Sequence, residues 1–452
     1  MWVSCISFGL RGSRQRTKRQ LSLLLTRQRL HWQLQRRKRA LPRWVALAAE
    51  SNAPGARTLF AQTAENESFR FPIELLCPTP TCCDRKLFSD ANPKLTFLER
   101  LELFRQRSLL STRACSVLRG WYESYEKAAL AAAADGALVL FGCPSTDPKQ
   151  VLRWCSDNFS TLFDILIYEL KHPFHFKPYH QAVSGPEFNY TAFGNRFSRP
   201  LCDLQRSYLD PSSEASFACI RAQLAAGDNV CLVGNHQSEA DPFAIYHMFR
   251  HHFGESGAAL AESILYMAGD RVRDDPLAAP FSVGRSMLTV YSKKHILDEP
   301  DRRSEKQAHN RKTLREMERL FADGGRCVWF APSGGRDRRS PETGRVTCAS
   351  FDPDAIELFR LSAEKAGRPC HYYPMAIGTF NMLPPPDQVE KEKGEQRVVS
   401  YARLWMSLMP QVDLDAGIDP ALSKSEKRQA RAENLYHLVV QKYTQMGAYD
   451  AQ

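Results

Sequence analysis

The spacing of apolar positions divides the chain into a helical part and a part that alternates strands with helices. Between Asn92 and His172, apolar side chains recur three and four positions apart, as in the stretches 95–110 and 151–170. This pattern predicts a small bundle of three or four helices. From Gln181 onward, short apolar runs alternate with amphipathic helices, which predicts a layered α/β domain. The predicted strands are Asn229–Val233, Ile264–Met267, Thr289–Tyr291, Cys327–Phe330 and His371–Ile377.

The same pattern gives a division of the whole chain. A helix is predicted over Glu305–Phe321, and the pair Gly324-Gly325 is suited to end it. The charged run Val389–Glu395 is expected to be a solvated loop. We predict four segments, and their bounds are a transit peptide at 1–55, a linker at 56–90, a helical bundle domain at 91–175 and an α/β catalytic domain at 176–452.

Charge changes this picture only at the N-terminus. The chain has 452 residues and a formal net charge of +11, which by itself could indicate a nucleic-acid or membrane partner. Twelve of its 61 Lys and Arg residues lie in the first 50 positions with only one acid, Glu50, so the remaining chain is charge-balanced. The basicity therefore gives no case for a nucleic-acid-binding protein.

The N-terminal segment has the composition of an organelle transit peptide. It is rich in Arg, almost free of acids and contains scattered Ser and Thr, with short apolar runs such as Leu21–Leu25. The alternative is a disordered basic arm that binds polyanions, and composition does not separate a mitochondrial from a plastid address. No stretch approaches the ~18 uninterrupted apolar residues of a transmembrane helix, so no membrane anchor is expected. The thirteen cysteines include no C-x-x-C pair, and no metal site is expected.

Candidate chemistry lies in the stretch "VCLVGNHQSEADP", Val230–Pro242. Gly234 is predicted to end a strand, and Asp241-Pro242 to open a helix, with Asp241 as its N-cap. A carboxylate on one nitrogen of His236 would set the tautomer and leave the other nitrogen to take a proton from a substrate hydroxyl. The alternative is that Asp241 only caps the helix and His236 is an ordinary loop histidine.

Two basic loops follow other predicted strands. "YSKKH" ends in Lys294 and His295, and "FAPSGGRDR" contains Arg336 and Arg338 after a pair of glycines. Each loop alone could be a solvated basic loop. Together, beside a general base, they indicate an anionic substrate that carries a hydroxyl group, since guanidinium forks and glycine backbone suit phosphate.

These strings identify a family resemblance. The chain closely resembles the soluble plastid glycerol-3-phosphate 1-O-acyltransferases of plants and algae over roughly residues 90–450. The H-x4-D box alone marks a broad acyltransferase superfamily, and the longer strings are specific to the plastid branch. The matching strings are "PFHFKPYHQAV", "NHQSEADP", "AGDRV", "DPLAAPFSVGR", "VYSKKH", "WFAPSGGRDR" and "MLPPP".

The resemblance implies an N-terminal helical bundle and a larger α/β domain whose mixed sheet is flanked by helices. It implies acyl transfer from acyl–acyl carrier protein to the sn-1 hydroxyl of glycerol 3-phosphate, in the plastid stroma. No cofactor is expected, because acyl–acyl carrier protein or acyl-CoA is the donor substrate, and no nucleic acid and at most transient membrane contact are expected. His236 matches the catalytic base and Asp241 its orienting partner, and the residues that match the phosphate pocket are Lys294, His295, Arg336 and Arg338.

The sequence departs from its plant relatives at two places. Position 234 is Gly where plant relatives usually carry Ser, and Ala376–Asn381 differs from the plant string; both lie near strand ends, where they would affect acyl preference rather than the reaction.

The alternative function with the same H-x4-D chemistry is a 1-acylglycerol-3-phosphate acyltransferase. A basic organellar nucleic-acid-binding protein would need a basic, aromatic-rich face in a mature chain that is charge-balanced.

Overall fold

The computed structural model describes residues 95–449 except for short internal stretches. The predicted transit peptide, 1–55, and the linker, 56–90, lie outside the described residues. The internal stretches that are also outside them are 141–142, 172–173, 185–188, 270–271, 273–274, 292–299 and 387–394.

The first described helices form the predicted helical part, and they begin where their sequence provides caps. They are α1 (Phe97–Gln106), α2 (Thr112–Ala134) and α3 (Pro148–Lys171). Thr96 and Glu99 form a reciprocal capping box at α1, and Ser111 caps α2. The helices pack through aromatic rings around the fully buried Phe159, namely those of Phe97, Trp121, Tyr122, Tyr125 and Phe197.

This aromatic core continues past the helical part of the chain. Phe197 and Phe281, both beyond position 176, contact Trp121 of α2. The helical part and the α/β part therefore share one hydrophobic core. The division between domains at 175 and 176 stays a prediction.

The rest of the described chain alternates strands with helices. The strands are β1 (Val139–Leu140), β2 (Cys143–Pro144), β3 (Tyr179–His180), β4 (Cys202–Leu209), β5 (Asn229–Gly234), β6 (Leu265–Gly269), β7 (Ser286–Val290), β8 (Cys327–Phe330), β9 (Arg338–Arg339), β10 (Val346–Thr347), β11 (Cys370–Gly378) and β12 (Ala402–Leu408). The further helices are α4 (Tyr190–Ser198), α5 (Ser213–Ala225), α6 (Asp241–Ser263), α7 (Ala279–Ser282), α8 (Arg303–Asp323), α9 (Pro353–Ala366) and α10 (Lys424–Gln445). Among the described residues, no helix is both long and apolar enough to cross a membrane.

Eight of these strands form one mixed sheet, in the order β3-β7-β6-β8-β5-β11-β12-β4. The pairs β5–β8, β5–β11, β6–β7, β6–β8 and β4–β12 are parallel, whereas β12 runs antiparallel to β11 and β3 antiparallel to β7. The fold is therefore α/β with a mixed sheet flanked by helices, as predicted.

The alternation of side chains along the central strands explains why helices cover both faces. On β5, Val230 and Leu232 join the core that contains α1 to α7, whereas Cys231 and Val233 join the core beneath α8, α9 and α10. A strand buried on both faces reads as a continuous apolar run, which is why β5 and β8 could be predicted from sequence.

The sheet brings several predicted loops to one edge. Because β5, β7, β8 and β11 are parallel to one another through the sheet, their C-terminal ends share an edge. The stretch that contains His236 follows β5, the stretch with Arg336 and Arg338 follows β8, and Thr379 follows β11. Open parallel sheets bind ligands at this edge.

All five predicted strands and the predicted helix are present, with ends shifted by up to three residues. Three strands of the large sheet were missed, namely β3, β4 and β12. β3 has only two residues, and β4 reads "CDLQRSYL", in which polar residues interrupt the apolar run because it is an edge strand.

Candidate active site

His236 and Asp241 form a hydrogen-bonded pair on the connection from β5 to α6. His236 Nδ1 lies 2.7 Å from Asp241 Oδ2, and the His236 side chain is 25% exposed whereas that of Asp241 is fully buried. A carboxylate accepts only, so Nδ1 carries the hydrogen and Nε2 of the neutral ring has a free lone pair. Within the described part of the chain, Nε2 has no hydrogen-bond partner. This is the arrangement of a general base.

Asp241 does not occupy the N-cap position that the sequence predicts. The N-cap is Ala240, without a side-chain cap, and Asp241 is the first helical residue. Its carboxylate points back into the loop, where the N–H groups of Gln237 and Ser238 donate to it at 2.9 and 3.1 Å. The predicted N-cap is therefore wrong by one residue. The reason is that the Asp241 carboxylate accepts hydrogen bonds from the loop and from His236 instead of capping the helix.

A hydroxyl from another strand completes the shell around this carboxylate. Thr379, directly after β11, donates its hydroxyl hydrogen to Asp241 Oδ1. The two oxygens of Asp241 therefore accept from His236 Nδ1, two backbone N–H groups and Thr379. Thr379 was not predicted as a site residue, although it lies in the departing string Ala376–Asn381.

The polar residues between the histidine and the aspartate are buried anchors. Gln237 Oε1 accepts from the N–H groups of Thr379 and Phe380 at 2.7 and 3.1 Å, and its Nε2 donates to Tyr443 Oη at 3.0 Å. Ser238 Oγ donates to the carbonyl oxygen of Leu383 at 2.8 Å. Both side chains are fully buried, so their bonds compensate the cost of removing them from water.

Asp337 joins the loop after β5 to the loop after β8. Its N–H donates to the carbonyl oxygen of His236 at 2.6 Å, and its carboxylate accepts from Asn235 Nδ2 and the N–H of Ala349, each at 2.9 Å. Burial raises the pKa of Asp337 to about 6, against the opposite effect of Asn235 and its other donors. Asp337 was not predicted as a site residue, although it stands between the two predicted arginines.

Arg336 lies in this same loop, beside the loop of His236, and Arg338 is the first residue of the short strand β9 that follows it. Arg336 Nη1 and Nη2 pair with the two carboxylate oxygens of Glu395 at 2.7 and 3.0 Å. Arg338 Nη1 donates to the carbonyl oxygens of Arg336 and Asp337 at 3.0 and 3.1 Å. The predicted Lys294 and His295 lie outside the described residues.

The prediction that Val389–Glu395 is a solvated loop is wrong for Glu395. Residues 389–394 of that run lie outside the described part, but Glu395 itself is only 8% exposed. It is buried because it pairs with Arg336, which is distant in sequence, and a local charge pattern cannot indicate such a partner.

Glu239, which lies between His236 and Asp241 in sequence, belongs to a second buried cluster of ion pairs. Arg397, only 2% exposed, pairs with Glu239 and with Asp275, and its guanidinium lies 5.5 Å from the ring centroid of Trp121. Burial by itself lowers the pKa of Arg397, but the Glu239 and Asp275 carboxylates outweigh it and keep the group charged. No local sequence pattern indicates Arg397, because its partners Glu239 and Asp275 lie far away in sequence.

The glycine that departs from the plant pattern allows close packing below the histidine loop. A Cβ at Gly234 would lie 2.8 Å from the carbonyl oxygen of Met375 on β11 and 3.3 Å from Trp329 Nε1. A larger residue therefore requires a shift of the β11 backbone. The expected effect on acyl preference stays a prediction.

The chain is similar in sequence to known acyltransferases. Residues 219–378, from α5 to β11, match the family model described as Acyltransferase. The chain is 34% identical over 358 residues to the chloroplastic glycerol-3-phosphate acyltransferase of Arabidopsis thaliana, covering 79% of this chain and 73% of that protein. It is 35% identical to the protein of that name from Carthamus tinctorius, with the same coverage, and 38% identical to that from Spinacia oleracea over 64% of this chain and 60% of the relative.

The raised pKa of Asp337 predicts how stability depends on pH. A pKa of about 6 in the fold, against ~3.9 in the unfolded chain, means that the folded state binds the proton more tightly. This contribution is fully present below about pH 4 and is lost as pH rises to 6, a fall of up to ~3 kcal/mol in the free energy of unfolding.

We expect Asp337→Asn to remove this fall. Urea unfolding at intervals of pH between 4 and 7 would measure it, as the difference in slope between the wild type and the variant. Asp203→Asn is the matched control, since Asp203 is also buried but pairs with Arg206 on β4. Equal slopes for the wild type and Asp337→Asn would show that the carboxylate titrates normally.

Proposed function

The chain belongs to the chloroplastic glycerol-3-phosphate acyltransferases, and on this premise we propose that it transfers an acyl group from acyl–acyl carrier protein to the sn-1 hydroxyl of sn-glycerol 3-phosphate. The product is 1-acyl-sn-glycerol 3-phosphate. The observation that carries this proposal is the 2.7 Å bond between His236 Nδ1 and Asp241 Oδ2, which leaves Nε2 to accept a proton.

The chemistry follows from this pair. His236 Nε2 takes the proton of the sn-1 hydroxyl while the alkoxide oxygen attacks the thioester carbonyl carbon. The tetrahedral intermediate then collapses, the carbon–sulfur bond breaks, and the imidazolium returns its proton to the leaving thiolate. The Asp241 carboxylate stabilises the imidazolium between these steps, and its four hydrogen bonds keep it oriented. The attacking group is the substrate, so no acyl-enzyme forms.

We assign the phosphate of the substrate to the arginine loop after β8. Glu395 occupies the Nη1/Nη2 edge of Arg336, so the edge with Nε is the one left to donate to a phosphate oxygen. Arg338 adds positive charge at the start of β9. Lys294 and His295 belong to this assignment through the family resemblance. The hydrogen bond from Asp337 N–H to the His236 carbonyl oxygen would hold phosphate site and base in register.

Relatives named chloroplastic support a plastid enzyme, and we propose that it works in the stroma after removal of residues 1–55. A fluorescent protein fused after Leu59 should enter plastids, because the acid-poor, Arg-rich segment is read by the import machinery. N-terminal sequencing of the enzyme from its native cell checks this. An intact Met1–Ala40 in the mature protein would contradict it and favour a basic arm.

Removal of the base should abolish turnover. In an assay with labelled acyl–acyl carrier protein, we expect His236→Ala and Asp241→Asn to lower kcat by ~10²–10⁴-fold, the usual effect of losing a positioned base. The apparent affinity for glycerol 3-phosphate should change little. His371→Ala is the matched control, because His371 Nε2 lies 3.0 Å from Asp228 Oδ2 at the opposite edge of the sheet.

The same assay separates the proposal from its alternative. Wild-type enzyme should acylate glycerol 3-phosphate and leave 1-acylglycerol 3-phosphate unchanged; the reverse preference would support the alternative. Near-normal turnover by His236→Ala would refute the mechanism.

Arg336→Lys keeps the charge and removes the planar fork. We expect KM for glycerol 3-phosphate to rise by roughly tenfold, because Arg and Lys are not equivalent at a phosphate site. KM for the acyl donor should be unchanged. Arg360→Lys on α9 is the control, since Arg360 also pairs with a carboxylate, Glu357, and is similarly buried. A change in the donor KM alone would show that Arg336 binds the donor instead.

A further inference from the structure

The charges of helix α8 are arranged against its dipole. Its first half contains Arg303, Lys306, Arg311 and Lys312 with one acid, Glu305, whereas its second half contains three acids, Glu316, Glu318 and Asp323, with Arg315 and Arg319. The N-cap is itself an arginine, Arg302, and makes no side-chain cap. Cations near a helix N-terminus and acids near the C-terminus both oppose the macrodipole. Helix stability therefore does not explain this arrangement.

Some of these cations have local partners. Arg302 pairs with Glu305, and Arg319 pairs with Glu316 and Asp323. Lys306 is buried, and its Nζ lies 5.6 Å from the ring centroid of Tyr291. Arg302 and Arg319 are therefore held by ion pairs along the helix, and Lys306 by its packing against Tyr291.

Arg311, Lys312 and Arg315 have no such role, and we call them the α8 cationic face. All three are exposed, on the side of the helix opposite the buried Met317 and Leu320. Among the described residues none of them pairs with a carboxylate, and Arg315 Nε donates only to the carbonyl oxygen of Arg311 at 3.3 Å. Arg315 lies three and four residues from Lys312 and Arg311, and like charges at these spacings repel.

The helix that carries this face is fixed beside the edge of the sheet that carries His236. Asn310 exchanges hydrogen bonds of 2.8 and 2.9 Å with the backbone of Tyr291, and Thr313 Oγ1 donates to the carbonyl oxygen of Thr289 at 2.7 Å. These bonds fix the middle of α8 beside the C-terminal end of β7. In the sheet, β7 lies three strands from β5, or about 14 Å at the usual strand spacing.

We propose that the α8 cationic face is the docking surface for the acidic acyl carrier protein that delivers the donor. This inference rests on the proposed function. Unpaired exposed cations add little to stability but attract and orient a partner of opposite charge. The acids Glu316 and Glu318, one turn along, would repel an evenly anionic membrane and favour a partner whose charges are confined to a patch.

The test reverses the charge of the face. We compare wild type with the triple variant Arg311→Glu, Lys312→Glu, Arg315→Glu, each as the full chain so that the basic N-terminal segment contributes equally. The control triple variant, Arg119→Glu, Lys127→Glu, Arg153→Glu, makes the same change of charge at exposed positions of α2 and α3. The measurements are Kd for the holo carrier protein at two salt concentrations, binding to anionic phosphatidylglycerol vesicles, and KM for acyl–acyl carrier protein, acyl-CoA and glycerol 3-phosphate.

We expect the α8 variant to raise Kd and KM for the carrier protein about tenfold or more, because like charges would now meet. Added salt should weaken carrier binding to the wild type and strengthen its binding to the variant, since salt screens attraction in the first case and repulsion in the second. The kcat and the KM for glycerol 3-phosphate should stay at wild-type values, and the control variant should match wild type. The neutral triple variant Arg311→Gln, Lys312→Gln, Arg315→Gln should show a smaller change of the same sign. Since none of the three cations pairs with a carboxylate among the described residues, this variant should unfold at no lower a temperature than wild type.

Other outcomes would overturn the inference in distinguishable ways. An equal rise in KM for acyl-CoA would assign the face to nucleotide phosphates. Loss of binding to anionic phosphatidylglycerol vesicles with unchanged carrier Kd would assign it to a membrane. Unchanged carrier Kd and KM in the α8 variant would refute the docking surface alone, whereas a wild type that neither binds nor uses the carrier protein would refute the proposed donor.

Discussion

The candidate site depends on one buried charge, the carboxylate of Asp241. A carboxylate without exposure to water is strongly destabilising unless donors satisfy both of its oxygens. Here two donors come from the turn itself, through Gln237 and Ser238, one is His236, and the fourth is Thr379. The turn between β5 and α6 must therefore fold back on the carboxylate, and β11 must lie next to β5. The orientation of the histidine follows from these requirements, because Nδ1 is the donor that the carboxylate holds.

The polar side chains around this carboxylate extend the same constraint to neighbouring segments. Asn235 bonds both the N–H and the carbonyl oxygen of Ile377, each at 2.9 Å, and also Asp337. Gln237 reaches Tyr443 on the C-terminal helix. Each bond links the loop to a segment at least 100 residues away in sequence. Because an unsatisfied buried polar group is costly, these bonds act together, and a shift of one loop would break several of them.

Two groups of cations among the described residues differ in burial and pairing, and each suits a different use. Arg336 and Arg397 are mostly buried and pair with carboxylates, so their positions are fixed and they can hold or support a small ligand with defined geometry. The cations of the α8 cationic face are exposed and without a carboxylate partner among the described residues, so they are suited to long-range attraction. A transferase with a small anionic acceptor and a macromolecular acidic donor would need both kinds. The same residue types thus have separate functions according to burial and pairing.

The sequence by itself determined the local features of this protein and the family. The apolar runs predict the central strands, and the strings around His236, Asp241, Arg336 and Arg338 predict the site residues, since strand ends, turns and motifs are patterns over a few neighbouring positions. Only the tertiary structure decided the rest: that Asp241 begins α6 rather than capping it, that Thr379 and Asp337 complete the histidine loop, and that Glu395 is buried against Arg336. The physical reason is the same in each case. These residues owe their roles to partners far away in sequence that the order of strands in the sheet brings within hydrogen-bond distance, and no local pattern encodes a partner at that separation.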